Sequence, residues 1–393
     1  MERMAKELQQ IRSHGLYRSL RTIESAPDAR VQIESKSLIM CASNNYLGLA
    51  NHPRLIDAAC NAIQVFGTGS SGSRLITGNT VLHEQLESQL AGLKGTEAAI
   101  LFNTGFMANL AVLSTLLGEG DVIFSDELNH ASIIDGCRLS KANVVVYRHN
   151  DMADLEKKLL QRVGHGGNSR ILIVTDGVFS MDGDIARLPE IVELADRFEA
   201  WVMVDDAHAT GVLGAHGGGT ADYYGLPSDN VHVQLGTMSK VLGAEGGFVA
   251  GSQLLVDYLR NRARPFIFST ALSPSVIASA GTAVELVSKE PERRVRLHEI
   301  ARRVRDGLSY LGFQVLPGET PIIPVILGDP ERAVEFGQRL EANGVFAPAV
   351  RPPSVPPGTS RIRLTVMATQ SDADIAQILN AFTRVGQELG VIA

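Results

Sequence analysis

Short runs rich in β-branched and aromatic residues alternate with amphipathic helical stretches over residues 96–235. The runs are AAILF ending at Phe102, DVIF at Phe124, NVVVY at Tyr147, ILIVTD at Asp176, AWVMVDD at Asp206 and VHVQL at Leu235. This alternation is typical of parallel strands, because each return to the same edge of a sheet needs a crossover helix. The sequence therefore predicts an α/β fold with a mostly parallel central sheet covered by helices.

The chain is longer than one hydrophobic core usually serves, since it has 393 residues. The pattern of predicted helices and strands changes near Val287. A charged helix, a strand PIIPVIL, a proline-rich turn and a strand RIRLTVM follow that point. We predict an N-terminal arm over residues 1–44, a large domain over 45–286 and a smaller α+β domain over 287–393.

The net charge of −7 gives the chain no general basic field that would attract nucleic acid or anionic lipid. Charged residues make up 20% of the sequence, which argues against a membrane span. Cys41, Cys60 and Cys137 form no disulfide or metal spacing, and the N-terminus lacks the apolar core of a signal peptide. These observations predict a cytoplasmic protein with neither a nucleic-acid nor a membrane partner.

The segment GTGSSG at residues 67–72 has the glycine spacing of a dinucleotide-binding turn. That motif needs a strand before it and a helix after it, whereas the preceding RLIDAACNAIQVF has a helical pattern. The sequence favours a flexible loop near a ligand or a partner subunit over a dinucleotide site.

Residues that could bind a ligand through polar side chains or backbone N–H groups follow five of the predicted strands, at the edge where parallel sheets bind their ligands. They are Gly105 and Phe106 after AAILF, His130 after DVIF, Ser180 after ILIVTD, Asp205 and His208 after AWVMV, and Thr237 and Lys240 after VHVQL. Gly105 and Phe106 lead into a helix, whose first N–H groups could hold a phosphate. Lys240 lies among small and apolar residues, where burial favours a neutral, nucleophilic amine.

A phosphate cradle, a strand-end carboxylate, a histidine and a lysine together predict a site for pyridoxal 5′-phosphate. The lysine would hold the aldehyde as a Schiff base, and the carboxylate would keep the ring nitrogen protonated. Each residue also has a simpler interpretation: His130 could be an ordinary polar side chain, Asp205 a turn cap and Lys240 a surface residue. A metal site at His130 and His208 lacks a suitably spaced third donor, so we predict no metal.

Several longer segments resemble the α-oxoamine synthases, a family of pyridoxal-phosphate enzymes of fold type I. The segments are SNNYLGLANHP, GTGSSGSRLITGNTVLHEQLE, VTDGVFSMDGDIA, VDDAHATGVLG, TMSKVLGAEGGF and VRPPSVPPGTSRIRLT. The resemblance covers nearly the whole chain. It implies the transferase fold of that family and a homodimer with active sites at the subunit interface.

The resemblance also implies a role for each matching residue. Lys240 would bind the cofactor covalently, Asp205 would pair with the ring nitrogen, and His208 would bond the phenolic oxygen. His130 would stack on the ring beside the substrate, and Ser180 would contact the ring oxygen. The phosphate would be bound by the backbone N–H groups of Gly105 and Phe106 and by the Thr237 hydroxyl. Thr270 would contact the phosphate of the neighbouring subunit's cofactor. Asn44 and Arg363 would hold the amino acid's carboxylate, and Arg18 would contact the acyl substrate.

The implied reaction is a decarboxylative condensation of an amino acid with an acyl thioester. GTGSSGSRLITGNT and the proline turn favour L-alanine and a pimeloyl thioester of coenzyme A or acyl carrier protein. Relatives that use glycine with acetyl- or succinyl-CoA, or serine with a long acyl chain, remain alternatives, as does a non-catalytic protein that keeps the cofactor fold. One departure from the family is Gln370, where relatives commonly have histidine after TVMAT. It puts in doubt a local role for an imidazole.

Overall fold

The computed structural model describes residues 1–13, 17, 20–162 and 169–393. The chain begins with an exposed helix, α1 (Glu2–Ser13). A hairpin of two antiparallel strands follows, β1 (Arg30–Ile33) and β2 (Lys36–Met40). The hairpin buries Val31, Ile33 and Leu38, so this part of the predicted arm is packed against the protein.

Within the described residues, a sheet of seven strands forms the centre of the protein. Its strands are β3 (Ala98–Phe102), β4 (Val122–Asp126), β5 (Asn143–Tyr147), β6 (Ile171–Asp176), β7 (Trp201–Asp205), β8 (Val233–Thr237) and β9 (Gly247–Gly251). Their order in space is β3–β9–β8–β7–β6–β4–β5, and β9 runs antiparallel to both of its neighbours. The six predicted strands and the mostly parallel sheet are confirmed.

Strand β9 was not predicted, because its sequence GFVAG reads as part of a glycine-rich turn. The structure explains the glycine at its start. A Cβ at Gly247 would lie 2.6 Å from the Cα and the N of Gly105. The start of β9 thus lies so close to Gly105, which follows β3 in the chain, that only a residue without a side chain fits there.

Helices cover both faces of the sheet. They are α2 (Pro53–Phe66), α3 (Val81–Lys94), α4 (Gly105–Leu116), α5 (Ala131–Ser140), α6 (Met152–Arg162), α7 (Leu188–Arg197), α8 (Thr220–Tyr223), α9 (Gln253–Arg262), α10 (Arg264–Ile267) and α11 (Pro274–Lys289). Met203 of β7 packs with α4 and α5, whereas Val202 and Val204 pack with α6 and α7. This division follows from the alternation of side chains along a strand.

The C-terminal part is a separate arrangement of helices and strands. It contains α12 (Glu292–Tyr310), β10 (Ile322–Gly328), α13 (Pro330–Ala342), β11 (Val345–Phe346), β12 (Ala349–Val350), β13 (Ser360–Thr365) and α14 (Asp372–Glu388). Strand β13 lies between β10 and β12, and β11 pairs in parallel with β2 of the N-terminal hairpin. The pairing of β11 with β2 joins the predicted arm to the C-terminal part of the chain. The domain boundaries at residues 44 and 286 stay a prediction.

A buried ion pair fastens α3 to the carboxyl end of β7. Lys94 Nζ lies 2.7 Å from Asp206 Oδ2 and donates to the carbonyl of Gly218 at 2.6 Å, and both charged side chains are fully buried. Thr220 donates its hydroxyl to Asp206 at 2.6 Å. A Cβ at Gly219, where φ is +105°, would lie 2.2 Å from Asp206 Oδ2. The carboxylate is therefore enclosed by donors and close-packed backbone.

Replacement of Lys94 by methionine should destabilise the protein strongly, because it leaves the Asp206 carboxylate buried without its counter-charge. Breaking a buried pair from one side costs about 3–5 kcal/mol. Lys289→Met is the matched control, since Lys289 pairs with Glu285 on an exposed helix surface and should change stability by less than about 1 kcal/mol. Urea unfolding of the two variants measures both values, and equal losses would contradict this account of the buried pair.

Candidate active site

The carboxyl ends of the parallel strands meet at one edge of the sheet, and the predicted residues lie there. Gly105 and Phe106 begin α4 after β3, and His130 caps the N-terminus of α5 after β4. The other predicted groups follow neighbouring strands: Ser180 after β6, Asp205 and His208 at the end of β7, and Thr237 and Lys240 at the end of β8. Residues separated by more than a hundred positions thus share one site.

Asp205 is the buried acid of the site, with 4% of its surface exposed. Its Oδ2 accepts a hydrogen bond from Asn109 Nδ2 at 2.7 Å, and its Oδ1 accepts one from the N–H of Ala207 at 3.0 Å. Asp176 lies directly opposite Asp205 in the pairing of β6 with β7. Burial and then the charge of Asp205 raise the pKa of Asp176 well above its usual value, which favours a neutral acid at that position.

His130 is held by hydrogen bonds at the edge of the site, where the residue as a whole still reaches the surface. Its backbone N–H donates to Asp176 Oδ2 at 2.9 Å, and its Nδ1 accepts from the N–H of Ser132 and lies 2.7 Å from the Ser132 hydroxyl. An N–H group can only donate, so Nδ1 is unprotonated and the ring proton of the neutral form is on Nε2. Burial, followed by the charge of Lys240, lowers the pKa of His130 despite the opposing carboxylate of Asp205.

The pKa values of Lys240 and His208 are both lowered from their ordinary values. Burial is the main reason why the pKa of Lys240 is lowered, with the charge of Arg363 adding to it and the carboxylates of Asp205 and Asp176 opposing it. Burial also lowers the pKa of His208 well below its ordinary value. His208 Nδ1 lies 2.7 Å from the hydroxyl of Tyr46, whose phenol is completely buried. A neutral amine at Lys240 would be a nucleophile and a base.

Asn44, Ser180 and Arg363 meet at one side of the site. Arg363 Nη2 donates to Asn44 Oδ1 at 3.2 Å, and Arg363 Nε donates to the carbonyl of Ser180. Tyr46 connects this group to His208, because its hydroxyl also lies 3.1 Å from Asn44 Oδ1. The half-buried guanidinium is the cation of this corner and could bind a carboxylate.

The start of α4 faces the end of β8. Thr104 caps the helix by accepting from the N–H of Met107 at 3.0 Å, and a Cβ at Gly105 would lie 3.3 Å from Thr237 Cβ. The Thr237 hydroxyl donates to the carbonyl of Gly246 at 2.8 Å and lies 2.7 Å from the hydroxyl of Ser239. Ser239 is exposed, so it is an additional donor that the sequence analysis did not single out.

Three further residues were singled out by the sequence analysis: Thr270, Arg18 and Gln370. Thr270 is exposed, and its carbonyl accepts from Asn103 Nδ2 at 2.9 Å near the start of α4. Arg18 lies outside the described residues. Gln370 is buried and bonds main-chain groups: its Oε1 accepts from Met367 N–H at 3.2 Å, and its Nε2 donates to the Met40 carbonyl at 3.1 Å. Its amide therefore holds two segments together.

The residues present fit pyridoxal phosphate. A lysine with a lowered pKa, a buried carboxylate and the imidazole of His130 match the aldehyde, ring nitrogen and ring face of that cofactor. The space kept by Gly105 beside Thr237 lies at a helix N-terminus, where a phosphate is stabilised. Among the described residues, no group of three histidine, cysteine or acidic side chains is arranged to hold a metal ion.

Three supporting residues were missed by the sequence analysis: Asn109, Ser132 and Tyr46. Asn109 lies one turn inside α4 and donates to both Asp205 and the Ser132 hydroxyl, at 2.7 and 2.9 Å. A polar residue within the apolar helix GFMANLAVLSTL was the available signal for Asn109. Tyr46 gave no such signal, because its partner His208 lies 162 residues away along the chain.

Comparison with known proteins relates the chain to enzymes of one family. The model of the family aminotransferase class I and II matches residues 36–382. 8-Amino-7-oxononanoate synthase of Lysinibacillus sphaericus is 51% identical over 391 residues and is covered completely, as is this chain. 8-Amino-7-oxononanoate synthase 2 of Bacillus subtilis strain 168 is also 51% identical, over 98% of each chain.

The fold is also similar to that of a solved enzyme. Serine palmitoyltransferase from S. paucimobilis, in a structure with a bound PLP–myriocin aldimine, superposes with a TM-score of 0.93 at 35% identity. The match covers 99% of this chain and 98% of that chain. The chain belongs to the aminotransferase class I and II family and, within it, to the α-oxoamine synthases, which are pyridoxal-phosphate enzymes of fold type I.

Proposed function

We propose that this protein condenses L-alanine with a pimeloyl thioester of coenzyme A or acyl carrier protein. The products are CO₂, the free thiol and 8-amino-7-oxononanoate, an intermediate of biotin biosynthesis. The observation that carries this proposal is 51% identity over essentially the full length of two enzymes named for that product. The strand-end lysine, carboxylate and imidazoles support catalysis over a binding protein that keeps the fold.

Lys240 is the proposed base of the reaction. When bound, pyridoxal phosphate supplies an aldehyde that can be held by an amine and a ring that withdraws electrons from the α-carbon of an amino acid. The lowered pKa of Lys240 increases the share of neutral amine, the form whose Nζ would remove the α-proton. The α-carbon then bonds to the acyl carbonyl, the thiol leaves, and the carboxyl group departs as CO₂. Lys240 or His130 returns a proton to the same carbon.

Asp205 and the two histidines would orient the cofactor. Asp205 would hold a proton on the ring nitrogen, with the direction of its carboxylate fixed by Asn109. His130 would cover one face of the ring, with its Nε2 protonated as the bond from the Ser132 N–H requires. If the Tyr46 hydroxyl donates its hydrogen bond to Nδ1 of His208 instead of to Asn44 Oδ1, the ring proton of His208 lies on Nε2 and can be donated to the phenolic oxygen.

The substrate's carboxylate would be held by Arg363 and Asn44 until it is lost. Arg363 offers charged N–H donors, and Asn44 is already bonded to it. Ser180 is fixed beside them through its carbonyl. Backbone N–H groups of Gly105 and Phe106, with the hydroxyls of Thr237 and Ser239, would bind the phosphate. Arg18 as an acyl contact stays a prediction.

We propose a cytoplasmic location without nucleic-acid or membrane partners. The net charge of −7 and the three free cysteines support this location. None of the helices in the described part of the chain combines the length and the apolar character needed to cross a bilayer.

A second copy of the chain is the proposed partner, forming a homodimer with Thr270 beside the neighbouring site. Large apolar side chains are exposed around the start of α4: Ile76 is 80% exposed, Phe268 70% and Phe106 43%. Backbone pairing of Ser73 with Thr270 brings their segments together. Single exposed apolar residues are ordinary, but several on segments that are paired in this way favour an interface.

The dimer predicts that Phe268→Asp weakens association, because it would place a charge in an apolar interface. Light scattering should give twice 42.2 kDa for the wild-type protein and a shift toward 42.2 kDa for the variant. The variant should also bind pyridoxal phosphate more weakly, since Thr270 of the neighbour would be lost. Leu254→Asp is the control, because Leu254 is another exposed apolar residue and is 79% exposed. A monomeric wild-type protein with full cofactor affinity would rule out the shared site.

Serine with a long acyl thioester is a second candidate pair of substrates. The observation that favours it is the TM-score of 0.93 to serine palmitoyltransferase. The identity of 35% to that enzyme is lower than the 51% to the two oxononanoate synthases. Because the fold is shared by the whole family, we give the sequence greater weight for substrate choice.

The proposed function predicts that alanine with pimeloyl-CoA has a higher kcat/KM than the competing pairs. The competitors are glycine with acetyl- or succinyl-CoA and serine with palmitoyl-CoA, measured by thiol release. One methyl group contributes only about 1–3 kcal/mol of discrimination, so glycine should react slowly and not be excluded. A larger kcat/KM for any competing pair would overturn the assignment and leave the family intact.

A further inference from the structure

His149, in the turn after β5, lies between two carboxylates. Its Nδ1 is 3.0 Å from Asp126 Oδ1 at the end of β4, and its Nε2 is 2.8 Å from Asp184 Oδ2 in the loop after β6. Asn150 reinforces both partners by donating its N–H to Asp126 Oδ2 and its side-chain amide to Asp184 Oδ2. We call His149, Asp126 and Asp184 the carboxylate clamp.

The geometry determines the charge of the histidine. A carboxylate only accepts hydrogen bonds, so a ring with a carboxylate on each nitrogen must donate from both and is an imidazolium. Asp126 is 1% exposed at its side chain and accepts further from the N–H of Leu128 and of Asn150, as expected of an ionised acid. An imidazole is also the stronger base of each pair, so the shared protons stay on the ring.

The clamp joins loops that carry active-site residues. Asp126 precedes the turn that leads to His130, and Asp184 closes the loop of residues 179–184. Within that loop, the N–H of Phe179 donates to the carbonyl of Asp184 at 3.0 Å. The ring of His149 also packs edge-on against Phe179, with centroids 4.3 Å apart.

The same loop receives side chains from the C-terminal part. Arg363 Nε donates to the carbonyl of Ser180, and Arg361 Nη1 donates to Asp182 Oδ1 at 2.7 Å. Thr320 donates its hydroxyl to the carbonyl of Gly183 at 2.7 Å. The position of Ser180 therefore helps to set where the guanidinium of Arg363 lies.

We propose that His149 is a positioning residue: as a cation at neutral pH it fixes the loop of residues 179–184 and, through the Ser180 carbonyl, the guanidinium that binds the amino acid's carboxylate. The second half of this statement rests on the proposed function of Arg363. His149 itself contacts neither the cofactor residues nor Arg363 through a hydrogen bond among the described residues. Its effect on the reaction is thus transmitted through the loop.

The proton on His149 should persist well above neutral pH. Burial lowers the pKa of His149, but the hydrogen bonds to Asp126 and Asp184 outweigh it and raise the pKa to about 10. Because the folded-state pKa is raised, the stability that the protonated His149 contributes is fully present below about pH 6.5, the unfolded-state pKa, and is lost as the pH rises through about 10. A further carboxylate, that of Glu127, accepts from the backbone N–H of His149 at 2.9 Å, and the charged Arg148 is the preceding residue in the chain.

The charge can be tested without any assay of activity. In protein labelled with ¹⁵N-histidine, a spectrum at pH about 8.5 should contain one ring with both nitrogens protonated, since ordinary histidines are neutral two units above their pKa of about 6.5. That signal should be absent from His149→Gln or His149→Lys, either of which identifies it. A neutral His149 at this pH would overturn the proposal.

The positioning role is tested by separating the two substrates. His149→Gln should raise the KM for alanine about tenfold, a loss of about 1.4 kcal/mol, and change the KM for the thioester much less. His149→Lys keeps a cation and several donors between the carboxylates and should recover most of the loss. His216→Gln removes an exposed histidine with a single carboxylate partner and should have no effect.

Equal changes in both KM values, or no change in either, would contradict the positioning role. If wild-type enzyme prefers another amino acid over alanine, the proposed function fails, and the same comparison is made with the preferred amino acid. The state of the His149 ring is read independently of both outcomes.

Discussion

Because side chains alternate at the end of β7, two neighbouring acids have different roles: one stabilises the fold and the other belongs to the candidate active site. Asp205 and Asp206 are adjacent, so their side chains leave the backbone on opposite sides. Asp206 is enclosed by Lys94 and Thr220 beneath the sheet edge. Asp205 is held by Asn109 on the side where Lys240 and His130 lie close enough for their charges to act on one another. A shift of one residue would exchange the two environments.

Two arginines on β13 show a similar division of roles. Arg361 and Arg363 are two positions apart and therefore share a face of the strand. Arg361 is 4% exposed at its side chain and forms an ion pair with Asp182, whereas Arg363 is half-buried and bonds Asn44 and the Ser180 carbonyl. Arg361 holds the C-terminal part of the chain against the loop of residues 179–184, and Arg363 places a cation in the candidate site. The two parts of the chain are thus joined at the place where substrate would bind.

Much of the site could be predicted because parallel strands bring their carboxyl ends to one edge. Short apolar runs located six strands, and the polar residues after five of them gave Lys240, Asp205, His208 and His130. Asn44, Thr270, Arg363 and the substrates came from the family resemblance alone. Strand β9 was missed because its glycines serve close packing against Gly105, which is not visible in a local pattern. Tyr46, Asn109 and the carboxylate clamp make their contacts with distant segments of the chain, so the spacing of residues in the sequence does not predict those contacts.

The most direct test of this account compares Asp205→Asn with Asp206→Asn. Asp205→Asn should fold with near-normal stability and bind cofactor, but exchange of the α-hydrogen of alanine with solvent should fall by at least about 100-fold, because the ring nitrogen loses the charge that keeps it protonated. Asp206→Asn should lower the free energy of unfolding by about 3–5 kcal/mol, because Lys94 is left buried without its partner, and should still catalyse exchange once folded. Normal exchange in Asp205→Asn, or loss of exchange without loss of stability in Asp206→Asn, would contradict the assignment.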